Sequence, residues 1–238
     1  MVSFVERLDP AALHGPTAAS EWNVAAVLSH LGSAAEIGRN TLISGKADLE
    51  AAPSIWDRWN ALTPEGKADA FVESDAGLVE AYEALSPQQV ETRMVDVGFL
   101  PEPVAVGFIA AMRLGEVGLH RWDIEVMRNP AATVASYVAA FPLAQLPLFA
   151  GFFAKPHARF GRVAITTTDP AGTFVLDISA DAVTLAPGGG EATTQLVLPA
   201  EALLRLSAGR LGADHTPSSV SIAGDISLDD LRSLFPGY

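Results

Sequence analysis

The sequence predicts a chain in two parts, an up-down helix bundle followed by a small α+β domain. Three observations predict it. Before residue 160 apolar residues recur about every 3.6 positions, and after it every second position. Prolines stand at the heads of helical stretches in the first part. Gly- and Pro-rich turns separate short alternating runs in the second. The chain has 238 residues, 49% of them apolar and 18% charged. That composition fills a substantial core. The expected division is residues 1–155 and 156–238.

The first long helix runs from Asn23 to about Ser44, with Val24, Val27, Leu28 and Leu31 on one face. Asn23 is a good N-cap, and Trp22 and Val27 flank it as a hydrophobic staple. Leu8 to His14 is read as the remnant of a shorter helix. Thr63-Pro64-Glu65 opens a second long helix that ends near Leu85, before Ser86-Pro87. Glu102-Pro103 opens a third that runs to about Met127, where Asn129-Pro130 stops it.

Ala131 to Ala154 holds no charged residue and is long enough to span a bilayer. Pro142 and Pro147 should break a helix in its middle, so it is read as a buried helix followed by packed irregular chain, without membrane contact. Arg162–Thr168 and Thr173–Ile178 then alternate about an Asp169-Pro170-Ala171-Gly172 turn, which reads as a β-hairpin. Val183–Leu185, Thr193–Leu198 and Val220–Ile222 read as further strands. Pro199–Ala208 reads as a helix, and Ser227 caps a last one.

The net charge of −13, with no run of Lys and Arg, argues against nucleic acid and anionic membranes as partners. The absence of cysteine excludes disulfides, thiolate metal sites and a cysteine nucleophile. The first residues lack a basic and apolar leader, which is read as a cytoplasmic protein. It is expected to be a monomer or homodimer that acts on a small molecule.

Chemistry concentrates in a few side chains. Glu116 and His120 lie four apart on the third long helix, so they share one face. His30 sits in an apolar run, Val27-Leu28-Ser29-His30-Leu31. If the two helices pack together, His30, Glu116 and His120 can hold one divalent ion, zinc by donor type, with an open coordination position. Asp123, three residues after His120, can accept the second ring N–H of a ligand histidine or touch substrate. On spacing alone, a Glu-x-x-x-His pair is usually a solvated or salt-bridged helix face, and a lone histidine such as His30 is more often a satisfied core residue. His14, His157 and His215 receive no role.

Glu21-Trp22-Asn23-Val24-Ala25-Ala26-Val27-Leu28-Ser29-His30-Leu31 resembles the Trp-Ser/Thr-Val-x-Asp-Val-Leu-x-His-Leu motif of the mycothiol-dependent maleylpyruvate isomerase family, a branch of the DinB-like metalloenzymes. Gly115-Glu116-Val117-Gly118-Leu119-His120-Arg121-Trp122-Asp123 resembles its Glu-x-x-x-His-x-x-Asp signature. Leu196 to Leu206, Gly209-Arg210 and Val220 to Asp225 look like the family's small second domain, similar in shape to sterol carrier proteins. The resemblance implies a DinB-like four-helix bundle carrying zinc on His30, Glu116 and His120. It also implies a low-molecular-weight thiol as cofactor or cosubstrate, which is mycothiol in actinobacteria.

In such an enzyme the thiolate adds to a conjugated double bond, which rotates before the thiol leaves; in a transferase it stays on the product. The resemblance makes Arg210 the candidate for binding a carboxylate of substrate or thiol, with Arg205 its rival. Ala26 departs from the family's usual Asp. Two other readings stand beside this one: a binder of a hydrophobic ligand that has lost activity, and a metal enzyme using bound water with Asp123 as base.

Overall fold

The computed structural model describes residues 1–19, 21–155 and 159–237. The chain divides into two compact units, Met1–Met127 and Arg128–Tyr238.

In the first unit, α1 (Val2–Val5) and a 3₁₀ turn over Pro10–His14 lead into α2 (Val24–Ser44). Asn23 caps α2 as expected, its side-chain oxygen accepting from the Ala26 amide at 2.8 Å. Gly45, with φ at 81°, ends it in the left-handed conformation that glycine adopts without strain. Then come α3 (Ala52–Asn60), α4 (Pro64–Glu83) and α5 (Pro87–Thr92). Thr63 caps α4 at 3.1 Å from the Gly66 amide, again as expected.

A two-stranded ribbon of β1 (Met94–Val95) and β2 (Val104–Ala105) precedes α6 (Val106–Glu125). That helix therefore starts later than Glu102-Pro103. Val104 and Ala105 pair with Val95 and Met94, so the backbone after Pro103 is committed to a ladder rather than a helical turn.

The stripe read on α2 is the centre of this unit. Val24, Val27, Leu28 and Leu31 are buried together with Trp59 of α3, Phe71 of α4 and Ile124 of α6. Burying each large side chain contributes roughly 1.5–3 kcal/mol. The α3 helix, which the sequence reading missed, docks on α2 with Trp59 at closest approach. A Cβ on Gly32 would lie 2.1 Å from the Trp59 ring, so the indole lies directly on the α2 backbone. Its Nε1 donates to Glu36 Oε2 at 2.8 Å.

The second unit opens with α7 (Ser136–Phe153), an uninterrupted helix that contains both Pro142 and Pro147. This corrects the expected break. Each proline removes one i→i−4 hydrogen bond, a penalty of about 3 kcal/mol. Against it stands the stripe Ala139, Leu143, Leu146 and Ala150, all buried at helical spacing. Leu146 and Ala150 share an apolar interior with Ile165, Leu176 and Leu185 of the sheet. For that reason the segment groups with the second unit, and the division falls at Met127 rather than near residue 155. By length and composition α7 could cross a membrane, and 39% of it is buried within the protein.

The sheet comprises β3 (Gly161–Thr168), β4 (Ala171–Ile178), β5 (Val183–Pro187), β6 (Thr194–Leu198) and β7 (Ser221–Ala223). Its order is β5-β4-β3-β6-β7, antiparallel except for the parallel β3–β6 pair. The expected hairpin forms with a tighter turn. Ala171 and Gly172 already pair with Thr168 and Thr167, which leaves only Asp169 and Pro170 in the loop. The α8 helix (Ala200–Ser207) returns from β6, and α9 (Leu228–Leu234) closes the chain behind a Ser227–Asp230 capping box.

Candidate functional site

His30 stands in the second turn of α2, and Glu116, His120 and Asp123 stand on α6. Packing within the first unit brings the four together. His30 Nε2 lies 2.9 Å from Glu116 Oε1. The His30 and His120 rings are 5.1 Å apart, edge to face. His120 Nδ1–H donates to Asp123 Oδ2 at 2.9 Å, which leaves Nε2 as the ring nitrogen available to a ligand. Asp123 is fully buried and faces the His120 ring.

The sequence reading assigned Trp22 only to a staple. Its ring in fact lies against both histidines, 4.9 Å from that of His30 and 5.8 Å from that of His120. It is 37% exposed, whereas Val27 is completely buried. Trp22 is thus a wall of the site.

Arg113 and Asp75 were missed altogether. Arg113 Nη1 donates to Glu116 Oε2 at 3.0 Å, and Nη2 donates to Asp75 Oδ1 and to the Leu31 carbonyl, each at 2.9 Å. One guanidinium therefore joins α2, α4 and α6 behind the histidines. The spacing of Arg113, Glu116 and His120, three then four, was legible as one helix face. Asp75 comes from another helix and had no local signal. Burial alone raises the pKa of Glu116, but the His30 hydrogen bond and the Arg113 guanidinium outweigh it and hold the carboxyl at about 2. Glu116 is a carboxylate at any physiological pH.

These donors suit a borderline divalent cation such as zinc. Two donors 2.9 Å apart can both lie within the roughly 2.0–2.2 Å that zinc requires of nitrogen and oxygen ligands. A carboxylate on the second nitrogen of His120 is the usual support of a metal-bound histidine. Among the described residues, no three such side chains already surround one point.

In the second unit, Arg205 is 1% exposed and paired at both carboxylate oxygens of Glu201, at 2.7 and 2.9 Å. It also donates to the His215 carbonyl. It is an internal tie. Arg210 follows α8 with Nη1 donating to the Ala208 carbonyl at 3.0 Å. His14 ends the first 3₁₀ turn and His215 a second one, while His157 lies outside the described residues.

Comparison with known proteins agrees with the motifs. No curated protein matches the chain. Two solved structures do, the crystal structures of the mycothiol-dependent maleylpyruvate isomerase and of one of its histidine-to-alanine mutants. Each has a TM-score of 0.63 at 17% identity, over 95% of this chain and 88% of the other. At that identity the likeness is one of fold: a helical first region and a second region built on a sheet. The family model described as the mycothiol maleylpyruvate isomerase N-terminal domain matches residues 1–125, nearly the whole of the first unit. The chain belongs to the mycothiol maleylpyruvate isomerase family, a family of enzymes.

Proposed function

We propose that this protein is a zinc enzyme that uses mycothiol to isomerise a small electrophilic substrate, or joins the thiol to it through sulfur. One observation carries the reading: His30 Nε2 and Glu116 Oε1 converge to 2.9 Å beside a His120 whose other nitrogen is held by a buried carboxylate.

His30, Glu116 and His120 are the proposed ligands. When bound, zinc supplies a Lewis acid that keeps a thiol as its nucleophilic thiolate at neutral pH, the form needed both for reversible addition to a double bond and for conjugation. Asp123 fixes the His120 tautomer and aims its Nε2. Trp22 covers one side of both imidazoles and narrows the approach of water. Arg210 is the proposed partner of a carboxylate on the thiol or the substrate. The chain has no cysteine, so the nucleophilic sulfur comes from the cosubstrate. The DinB-like four-helix arrangement, the sterol-carrier-like shape of the second unit and a cytoplasmic setting belong to the same proposal.

The two other readings recede on physical grounds. The void enclosed by Leu146, Ile165, Leu203 and Leu231 in the second unit is about 20 Å³, room for about one water and far less than a lipid. Asp123, fully buried and bonded to His120, is poorly placed as the base for a bound water.

The test is turnover of a conjugated cis-dicarboxylate by tag-free protein with and without added mycothiol. The proposal expects activity that needs the thiol and vanishes in His30→Ala. Activity independent of any thiol would overturn the thiol half of it. Arg210→Ala should raise KM without changing metal content; unchanged kinetics would return that residue to the surface.

A further inference from the structure

Glu116 has two oxygens, and they meet different partners. Oε1 faces His30, and Oε2 accepts from Arg113. The Arg113 side chain is 11% exposed, and its other amino group is anchored on Asp75 of α4 and on the carbonyl of Leu31, next to His30 in the chain. Its Nε is buried and, among the described residues, has no partner. The arginine is thus held by three fixed points, and its position follows those anchors rather than its own full hydrogen bonding.

We propose that Arg113, anchored by Asp75, is a positioning residue that makes Glu116 a one-oxygen ligand, by occupying Oε2 and presenting only Oε1 to the metal. This inference rests on the metal site proposed above and deepens it. A carboxylate that binds through both oxygens takes two coordination positions. Blocking Oε2 keeps the second one open for thiol and substrate. The guanidinium fork can bridge two carboxylates and a carbonyl at once, which a lysine ammonium on a flexible stem cannot do with fixed direction. Arg113 also balances the charge of two nearby carboxylates that would otherwise repel each other.

The test uses the full chain loaded with zinc, and with cobalt(II) as a spectroscopic stand-in. Arg113→Met should still bind one ion at saturation, with affinity lowered about 10–100-fold in competition with a chromophoric chelator. X-ray absorption should show one more oxygen around zinc, and the cobalt visible band should weaken as coordination number rises. Arg113→Lys should recover part of the affinity while the extra oxygen remains. Asp75→Asn, nearly isosteric, should lower affinity in the same direction and by less; it decides the matter if Arg113→Met does not fold. A wild-type protein that binds zinc, with variants of the same affinity and the same spectra, would overturn this inference alone. A wild-type protein that binds no ion would overturn the metal site and this inference together.

Discussion

Each unit contains a Glu–Arg pair on one helix, and the two pairs are built to opposite ends. In the second unit Glu201 gives both oxygens to Arg205, and the side chains are 6% and 1% exposed. In the first, Glu116 gives one oxygen to Arg113, turns the other to His30, and stays 31% exposed. The first arrangement is closed and ties α8 to the chain around His215. The second is open and leaves a carboxylate oxygen beside two imidazoles. The spacings, three residues in one pair and four in the other, both put the two side chains on one helix face, so spacing does not say which pair is open. What distinguishes them is whether the arginine satisfies the carboxylate completely, and what stands at the oxygen it leaves.

The largest effect is expected from Arg205→Leu. It strands the buried Glu201 carboxylate, so chemical denaturation should show a loss of about 3–5 kcal/mol. Zinc binding by the protein that remains folded should be unchanged; a loss of affinity would mean that the closed pair also serves the site. Replacing both Glu201 and Arg205 by leucine should restore most of that stability, because no charge is left unpaired.

Asp123→Asn probes the open side. It keeps the shape of the side chain but weakens the hold on His120, and zinc affinity should fall about 10–100-fold, equivalent to roughly 1.4–2.7 kcal/mol. An unchanged affinity would reduce Asp123 to core packing. Asn23→Ala should have the smallest effect. Removing the cap of α2 costs about 1 kcal/mol of stability, and because His30 lies two turns further along, zinc stoichiometry should not change. A proportionate loss of zinc would mean that the helix end, and Trp22 with it, helps to shape the site.

Much of this was legible before the structure. The N-caps at Asn23, Thr63 and Ser227, the stripe on α2 and the β3–β4 hairpin are short-range patterns that chain geometry enforces. Glu116, His120 and Asp123 share a helix face for the same reason. What escaped were contacts between elements. Nothing local places Asp75 against Arg113, or the Trp22 ring against His120. The α3 helix was missed because its docking depends on Gly32 admitting Trp59. The α7 helix was read as broken because prolines are judged by the hydrogen bonds they remove, while the stripe from Ala139 to Ala150 that keeps it helical acts through burial in another element. The same packing moves the division between units to Met127.

Whether His30, Glu116 and His120 hold a metal is decided by elemental analysis of protein purified without a histidine tag, beside His120→Ala with its fold checked by circular dichroism. The account predicts about one zinc per chain, lost in the folded variant. No metal in the wild-type protein even after zinc is added, or full zinc retained by His120→Ala, would contradict it.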